Sequence, residues 1–346
     1  MGELTIRRAG PEDVGTIAAL FQSAYKDSSH PFQSTASVAQ FLRDPRNFQI
    51  LAEEEHRVVS TMAMIYNAWN DSYELGRALT LPEYRRNGLA GLLMQRVVDW
   101  AAAPSLGELI FGYPRVRRIA DLCATLDPQI VVVGHDAGRN VANGSRETHL
   151  IVCGIPRDSR FTHVAPRVAA LLEWRFLIEQ IYAPLGLSGS RGEYPSESFI
   201  GAVSQNQMIL GTWTLDYASA NPSGALEVIG RQDDGATPHQ IGEELDQILS
   251  TMPEVQHVTA TVLADKLEII RELAVFGFEI SAYLPAWHRS GSFRYDCVQL
   301  ARRHYDCEAA TQDFPELLRT LRAEFRSSPI LCLSEAEKCS PVADNT

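Results

Sequence analysis

The sequence has little cysteine, no long apolar segment and no N-terminal signal pattern. Its six cysteines stand far apart along 346 residues and form no C-x-x-C pair, which argues against a zinc site and a dense disulfide framework. No apolar run approaches the roughly 18 residues that a membrane helix requires, and the opening MGELTIRRAGPEDVG contains no apolar signal segment. These absences predict a cytoplasmic protein with reduced thiols and no membrane partner.

Basic residues are also outnumbered. Lys and Arg total 31 against 43 Asp and Glu, which gives a formal net charge of -12 at pH 7. An acidic chain repels nucleic acid and anionic surfaces. We therefore expect no nucleic-acid partner and a small substrate that bears an amine, while the oligomeric state, monomer or homodimer, stays open.

The hydrophobic pattern of the first half alternates short strands and helices. The predicted order is strand, two helices, three strands, helix, strand, helix and two strands, which indicates an α+β fold with one mixed, mostly antiparallel sheet flanked by helices. HDAGRNVANGSR is predicted to be a polar loop between the last two strands. The second half repeats part of this pattern, with strands at FIGAV and MILGTWTLDY and a helix at HQIGEELDQILSTM. We predict domains at residues 1–155 and 156–305, followed by a helix and tail at 306–346.

One stretch carries a recognisable chemical signal. Residues 82 to 91 read PEYRRNGLAG, with Gly88, Ala90 and Gly91 at the start of an amphipathic helix. A helix start leaves several backbone N–H groups unpaired, and small residues let a ligand approach them. Because the helix dipole adds partial positive charge, the stretch predicts an anion cradle that suits a pyrophosphate.

This stretch resembles the acetyl-CoA signature of the GCN5-related N-acetyltransferases (GNAT), which reads Gln or Arg, two residues, Gly, one residue, then Gly or Ala. The matching residues are Arg85, Arg86, Asn87, Gly88, Leu89 and Ala90. Their place between a strand and a helix also follows that family's order of elements. The resemblance implies two GNAT-like domains, acetyl-CoA as cosubstrate and main-chain groups near Leu79 and Leu81 that pair with the pantetheine amides.

The same resemblance suggests catalytic residues. Acyl transfer from a thioester to an amine needs a base for the amine proton and an acid for the departing thiolate. Glu74 is the candidate base, because histone-type members of the family carry their catalytic Glu at this spacing from the signature. Alternatively, Glu74 faces solvent or pairs with Arg77. The family's acid is often a Tyr on a later helix, where Cys123 stands in this sequence, and Tyr113 on the preceding strand is the other candidate.

Two residues are candidates for acceptor binding. Trp69 lies between strands at the mouth where the family admits acceptors, and His135 lies in the predicted loop HDAGRNVANGSR. His135, Asp136, Glu147 and His149 suggest a metal site, but their spacing matches no common ligand pattern, so we expect no metal.

The second half lacks the signature. Its corresponding loop, IGRQDDGATPHQIGEEL, contains Asp233 and Asp234, whose charges repel a pyrophosphate. We therefore expect a degenerate, noncatalytic second domain. Acyl-CoA-dependent N-acyl transfer to a small amine is the leading hypothesis for the first domain. Two alternatives stay open: the same fold could cleave a phosphorylated or nucleotide-like molecule by hydrolytic or glycosidic chemistry, or could serve as a noncatalytic acyl-CoA sensor.

Overall fold

The computed structural model describes residues 3–25, 30–101, 108–114, 125–126, 129–142, 145–156, 159–166, 175–190, 192–217 and 223–305. Cys123, the helix predicted around it and the predicted C-terminal helix lie outside these residues. The chain forms two compact units: the first comprises Met1–Val132, Ala142–Ser145 and Ile151–Arg160, and the second comprises Val133–Val141, Arg146–Leu150 and Phe161–Thr346. None of the helices in the described ranges has the length and apolar character that a membrane crossing requires.

The first unit is an α+β fold, as the sequence predicts. Its helices are α1 (Val14–Ala24), α2 (Thr35–Arg43) and α3 (Leu89–Ala101). Its strands are β1 (Leu4–Arg8), β2 (Phe48–Glu54), β3 (Arg57–Asn67), β4 (Ser72–Thr80) and β5 (Ile110–Gly112), joined by parts of β6 (Ile130–Ala142) and β7 (Ser145–Gly154). Strands β1 to β4 form an antiparallel meander, β5 lies parallel to β4, and β7 lies antiparallel to β5.

Helices cover both faces of this sheet. On α3, apolar residues recur at helical spacing and are buried, for example Leu89, Leu93 and Val97. The Trp100 ring on the same helix makes an edge contact with Tyr73 of β4. The opposite face carries a core in which buried residues of α1 and α2 pack with Ala63, Leu79 and other strand residues. Since side chains alternate along a strand, Glu74 lies on the α1 and α2 face.

The second unit also combines a mixed sheet with helices. Its helices are α4 (Arg175–Leu185), α5 (Pro238–Ser250) and α6 (Leu267–Val275). Its strands are β8 (Thr162–Val164), β9 (Gln207–Leu210), β10 (Trp213–Tyr217), β11 (Ala225–Arg231), β12 (His257–Leu263), β13 (Glu279–Ser290) and β14 (Phe293–Arg303), with the remaining parts of β6 and β7. β11 is antiparallel to β10 and parallel to β12, and β14 pairs antiparallel with both β12 and β13.

Three predictions of secondary structure are wrong. The stretch HDAGRNVANGSR is not a loop, because β6 continues through it to Ala142 and β7 begins at Ser145. MILGTWTLDY is not one strand but a hairpin, since Gly211 adopts a left-handed conformation (φ 61°) between β9 and β10. FIGAV contributes only an isolated bridge from Phe199 to β12.

Candidate active site

The first unit opens a gap between two parallel strands. β4 pairs with β5 only over Tyr73–Leu75, opposite Ile110–Gly112. Just beyond, β4 contains a bulge. Gly76 pairs with Ala63 and Leu79 with Thr61, so β4 has one more residue than β3 between these two pairs. Arg77 in this bulge has a left-handed φ of 52°. A bulge bends a strand and increases its twist, so the end of β4 lines an opening, which we call the β4–β5 gap.

The bulge also decides which main-chain groups face the gap. Leu81 donates its N–H to the β3 carbonyl of Val59 at 3.0 Å. Because N–H and C=O directions alternate along a strand, the main-chain groups of Thr80 point away from β3. The Thr80 carbonyl accepts a hydrogen bond from Arg85 Nε at 3.1 Å. The sequence predicts such groups near Leu79 and Leu81, and the groups that face away from β3 are those of Thr80, which lies between them.

The turn that follows β4 is fixed to the sheet. It is a short 3-10 helix, Pro82–Tyr84. Glu83 accepts a hydrogen bond from Arg57 Nη2 at 2.8 Å, and the Tyr84 hydroxyl donates to the Glu54 carboxylate. This last hydrogen bond raises the pKa of Tyr84. Both contacts hold the turn from the side of the β2 and β3 hairpin, so the next residues start from a fixed position.

The loop between this turn and α3 presents main-chain donors. Arg86 and Gly88 have left-handed φ values of 67° and 75°. Within the part of the chain that the structure describes, the N–H groups of Arg86, Gly88, Leu89 and Ala90 have no protein acceptor. A Cβ built on Gly88 meets no atom within 4 Å, so the space beside it is open. Together with Asn87, these residues form a loop whose donors and helix dipole can hold an anion.

Two candidate catalytic residues lie on neighbouring strands beside the gap. Glu74 is the register partner of Phe111, and Tyr113 follows two residues later. Residues in register, and residues two apart, face the same side of a sheet. The rings of Phe111 and Tyr113 meet edge to face with their centroids 5.8 Å apart. A Cβ on Gly76 would lie 3.3 Å from Glu74 Oε1 and 3.4 Å from Ile65 Cδ1, so a larger residue at position 76 would crowd this carboxylate.

The alternative pairing of Glu74 with Arg77 does not form. Among the described residues, the Arg77 side chain has no carboxylate partner, and its guanidinium carbon lies 5.3 Å from the centroid of the Phe32 ring. Arg77 and Phe32 therefore lie on the same face of the sheet as Glu74.

The candidate acceptor residues differ in exposure. Trp69 lies in the turn between β3 and β4 and is 38% exposed. His135 is buried on β6, so it is not presented on a polar loop as the sequence suggests. Asp136 beside it is also buried, and its Oδ1 lies 3.1 Å from His257 Nε2. The sequence places His135 in a loop because polar residues follow Gly134, whereas β6 continues through them.

In the second unit, the gap that corresponds to the β4–β5 gap is filled by the chain itself. β11 pairs with β12 only up to Val228, and then contains a bulge against β10. Beyond this point an extended segment pairs with β12: Ile200 donates to Thr261 at 2.8 Å, and Leu263 donates to Ser198 at 3.0 Å. A Cβ on the next residue, Gly201, would lie 2.7 Å from the Cα of Ile229 on β11. We call residues 198–201 the plug segment.

The loop before α5 is likewise satisfied internally. Asp233 and Asp234 each accept a hydrogen bond from the N–H two residues further on, at 3.0 and 3.1 Å. Thr237 and Gln240 form a reciprocal capping box at the start of α5. The carboxylates of Asp233 and Asp234, which are expected to repel a pyrophosphate, therefore also accept hydrogen bonds from main-chain N–H groups that a bound anion would need.

The comparison with known families agrees with this geometry. Residues 16–113 match the model of the Acetyltransferase (GNAT) family. This stretch contains the bulged β4, the signature loop and α3, so the family match covers the residues that carry the sequence resemblance and less than a third of the chain. No curated protein matches the chain.

Solved structures resemble part of the chain. A GNAT-family acetyltransferase from Streptococcus pneumoniae is 17% identical, with a TM-score of 0.38, and covers 44% of this chain and 99% of its own. The ribosomal-protein-S5-alanine acetyltransferase from Vibrio fischeri is 20% identical, with a TM-score of 0.39, over 46% and 96%. NAA60 from Arabidopsis thaliana, in complex with a bisubstrate analogue, is 10% identical, with a TM-score of 0.37, over 45% and 100%. Each similarity covers less than half of this chain.

Proposed function

We propose that the first unit binds acetyl-CoA in the β4–β5 gap and transfers its acetyl group to the amine of a small molecule. One observation carries this proposal: the N–H groups of Arg86, Gly88, Leu89 and Ala90 have no protein acceptor in the described part of the chain. They follow a bulged strand that pairs with β5 only as far as Leu75 among the described residues.

The loop fits a diphosphate. Gly88 has open space where a side chain would stand, and its left-handed φ suits glycine. The Arg85 and Arg86 side chains are exposed at the same loop and add positive charge. Thr80 offers main-chain groups of the kind that pair with the amides of an extended pantetheine. These residues would hold the cosubstrate with its thioester directed toward Glu74.

The chemistry then divides between two side chains. Glu74 accepts a proton from the acceptor amine, directly or through water, because only a neutral amine can attack the thioester carbonyl. The new C–N bond forms as the C–S bond breaks, and the departing thiolate takes a proton. Tyr113, on the same face as Glu74, is the described residue that supports this last role best.

The second unit is proposed to be a noncatalytic copy of the same fold. Its strands β11, β12 and β14 repeat the relations of β4, β5 and β7: a parallel pair, followed by an antiparallel neighbour. The plug segment and the satisfied loop support the absence of a cosubstrate site there.

The test is calorimetric titration of the full chain with acetyl-CoA, followed by a thiol-release assay with a panel of small amines. We expect saturable binding and amine-dependent release of CoA. An absence of binding at millimolar acetyl-CoA would reject the proposal, and binding without transfer to any amine would leave the sensor alternative in its place.

A further inference from the structure

Arg77 occupies an unusual position in the active-site strand. It lies in the β4 bulge, at a left-handed φ of 52° that glycine adopts more easily than arginine. The neighbouring residue is a glycine, Gly76, but the left-handed conformation falls on Arg77, which has a long cationic side chain. An unfavourable backbone conformation at a site of this kind is a reason to look for a function of the side chain.

The side chain of Arg77 is held but not paired. Its guanidinium lies over the Phe32 ring at 5.3 Å, and its Nε is buried without a hydrogen-bond acceptor. Two other arginines of the first unit contrast with it. Arg7 donates to the carboxylates of Asp13 and Glu53, and Arg46, which also lies over an aromatic ring, pairs with Asp44 at 2.7 Å. Among the described residues, no carboxylate performs this role for Arg77.

The position of Arg77 relative to Glu74 indicates what its guanidinium could bind. The two side chains lie on either side of Gly76, on the face covered by α1 and α2, and a larger residue at position 76 would crowd the Glu74 carboxylate. An acceptor whose amine reaches Glu74 therefore presents its neighbouring atoms to the Arg77 guanidinium. A guanidinium that is oriented by an aromatic ring and partly withdrawn from water favours an oxyanion as its partner.

We propose that Arg77 is a specificity residue that binds an anionic group of the acceptor, so that the substrate class is amines that also carry a carboxylate or phosphate rather than polyamines. This inference rests on the proposed acetyl transfer. It assigns the amine to Glu74 and the oxyanion to Arg77, with Phe32 as the surface that orients the guanidinium. Since the chain has a formal net charge of -12, a local cation would offset the repulsion of an anionic substrate.

The experiment compares matched acceptors in a CoA-release assay. The panel contains L-amino acids with their amides, phosphoethanolamine with ethanolamine, and spermidine. For the wild-type protein we expect kcat/KM to be about 10- to 100-fold higher for the anionic member of at least one pair, as one charge-assisted interaction gives. The pair that shows the preference distinguishes carboxylate from phosphate. Equal rates within both pairs, or a preference for spermidine, would overturn the inference.

Variants of Arg77 distinguish a role in substrate specificity from a role in stabilising the fold. Arg77→Gln should raise KM for the anionic acceptor about 10-fold or more and leave its uncharged partner unchanged, while Arg77→Lys should restore part of the preference. Arg46→Gln is the matched control, because Arg46 also lies over an aromatic ring but already has a carboxylate partner, and it should change neither. Unchanged acetyl-CoA binding shows that Arg77→Gln is folded. An equal loss for both acceptors would assign Arg77 a structural role, whereas loss of acetyl-CoA binding by the wild type would reject the proposed function itself.

Discussion

The two units contain the same local arrangement with opposite outcomes. In the first, a bulged strand leads into a loop where the N–H groups of Arg86, Gly88, Leu89 and Ala90 meet no protein acceptor in the described chain, beside the β4–β5 gap. In the second, β11 also bulges beside a parallel neighbour, but Asp233 and Asp234 bind the loop amides and the plug segment pairs with β12.

The difference follows from the need to satisfy buried main-chain groups. An open strand edge and a helix start both have polar groups that require partners. A protein can supply these partners from its own chain, as the second unit does, or leave them to water and a ligand. Binding sites of this kind are therefore recognised by the hydrogen bonds that the protein does not make.

The largest expected effect is a loss of activity that occurs on substitution in β4 of the first unit and not in β11 of the second. Glu74→Gln should lower kcat by about 100- to 10,000-fold, because the amide cannot accept the amine proton, and should leave acetyl-CoA binding unchanged. The matched control is Glu227→Gln on β11, in register with Thr259 in the second unit, and its activity should equal that of the wild type. Steady-state rates and calorimetry on both variants check this. Equal losses in the two variants would remove the functional distinction between the strands.

A second pair of variants tests the two loops directly. Gly88 and Gly235 have nearly the same backbone conformation (φ 75° and 76°) and the same open surroundings. Substitution by Val should strain either site by about 1 to 3 kcal/mol. We expect Gly88→Val alone to weaken acetyl-CoA binding by about 100-fold or more, since its side chain enters the proposed diphosphate site. Thermal unfolding measures the shared cost and calorimetry the binding, and comparable binding by the two variants would contradict the assignment.

The number of acetyl-CoA molecules bound per chain is a further test of the difference between the two units. Because the plug segment occupies the gap in the second unit, we expect one acetyl-CoA per chain. Calorimetric stoichiometry on the wild type gives the number, and Gly88→Val should reduce it to zero. Two sites per chain would show that the plug segment leaves its gap when ligand is present.

The smallest effect concerns acid stability. The Asp13 carboxylate, which is buried in the first unit, accepts two hydrogen bonds from Arg7 at 2.7 Å, and these lower its pKa below the ordinary value of 3.8. This interaction stabilises the fold above pH 4 by about 1 to 3 kcal/mol and is lost as the pH falls through the lowered pKa. Asp13→Asn should therefore be less stable than the wild type at pH 6, with the difference shrinking toward pH 3. Asp234 in the second unit serves as control, because its carboxylate is exposed and its partner Arg231 is also held by Glu244, so Asp234→Asn should have little effect on thermal unfolding at either pH.

The sequence was sufficient to predict the fold class and the position of the loop. Helical spacing of apolar residues and the small residues around Gly88 predict α3 and the strand before it within one or two residues. These features depend on local periodicity and on backbone conformation, which individual residue types reveal.

The remaining errors have a common physical cause, which is tertiary pairing. The bulge at Arg77 has no sequence signature, since the residue in the left-handed position is not glycine. The sequence therefore points to main-chain groups near Leu79 and Leu81 and does not single out Thr80 between them. β6 continues through polar residues such as His135 and Asp136, which are buried by the surrounding sheet and not by their own hydrophobicity. Partners distant in sequence decide both features.

The plug segment has a consequence for engineering. Thr261 and Leu263 present an edge that accepts an extended peptide of about three residues, as the wild-type chain demonstrates with its own backbone. Replacing residues 198–201 by a flexible linker would vacate that edge, and a short synthetic peptide of the native sequence could then complement the protein in trans by strand addition. The second unit would thereby become a peptide-responsive module whose stability reports on the added strand.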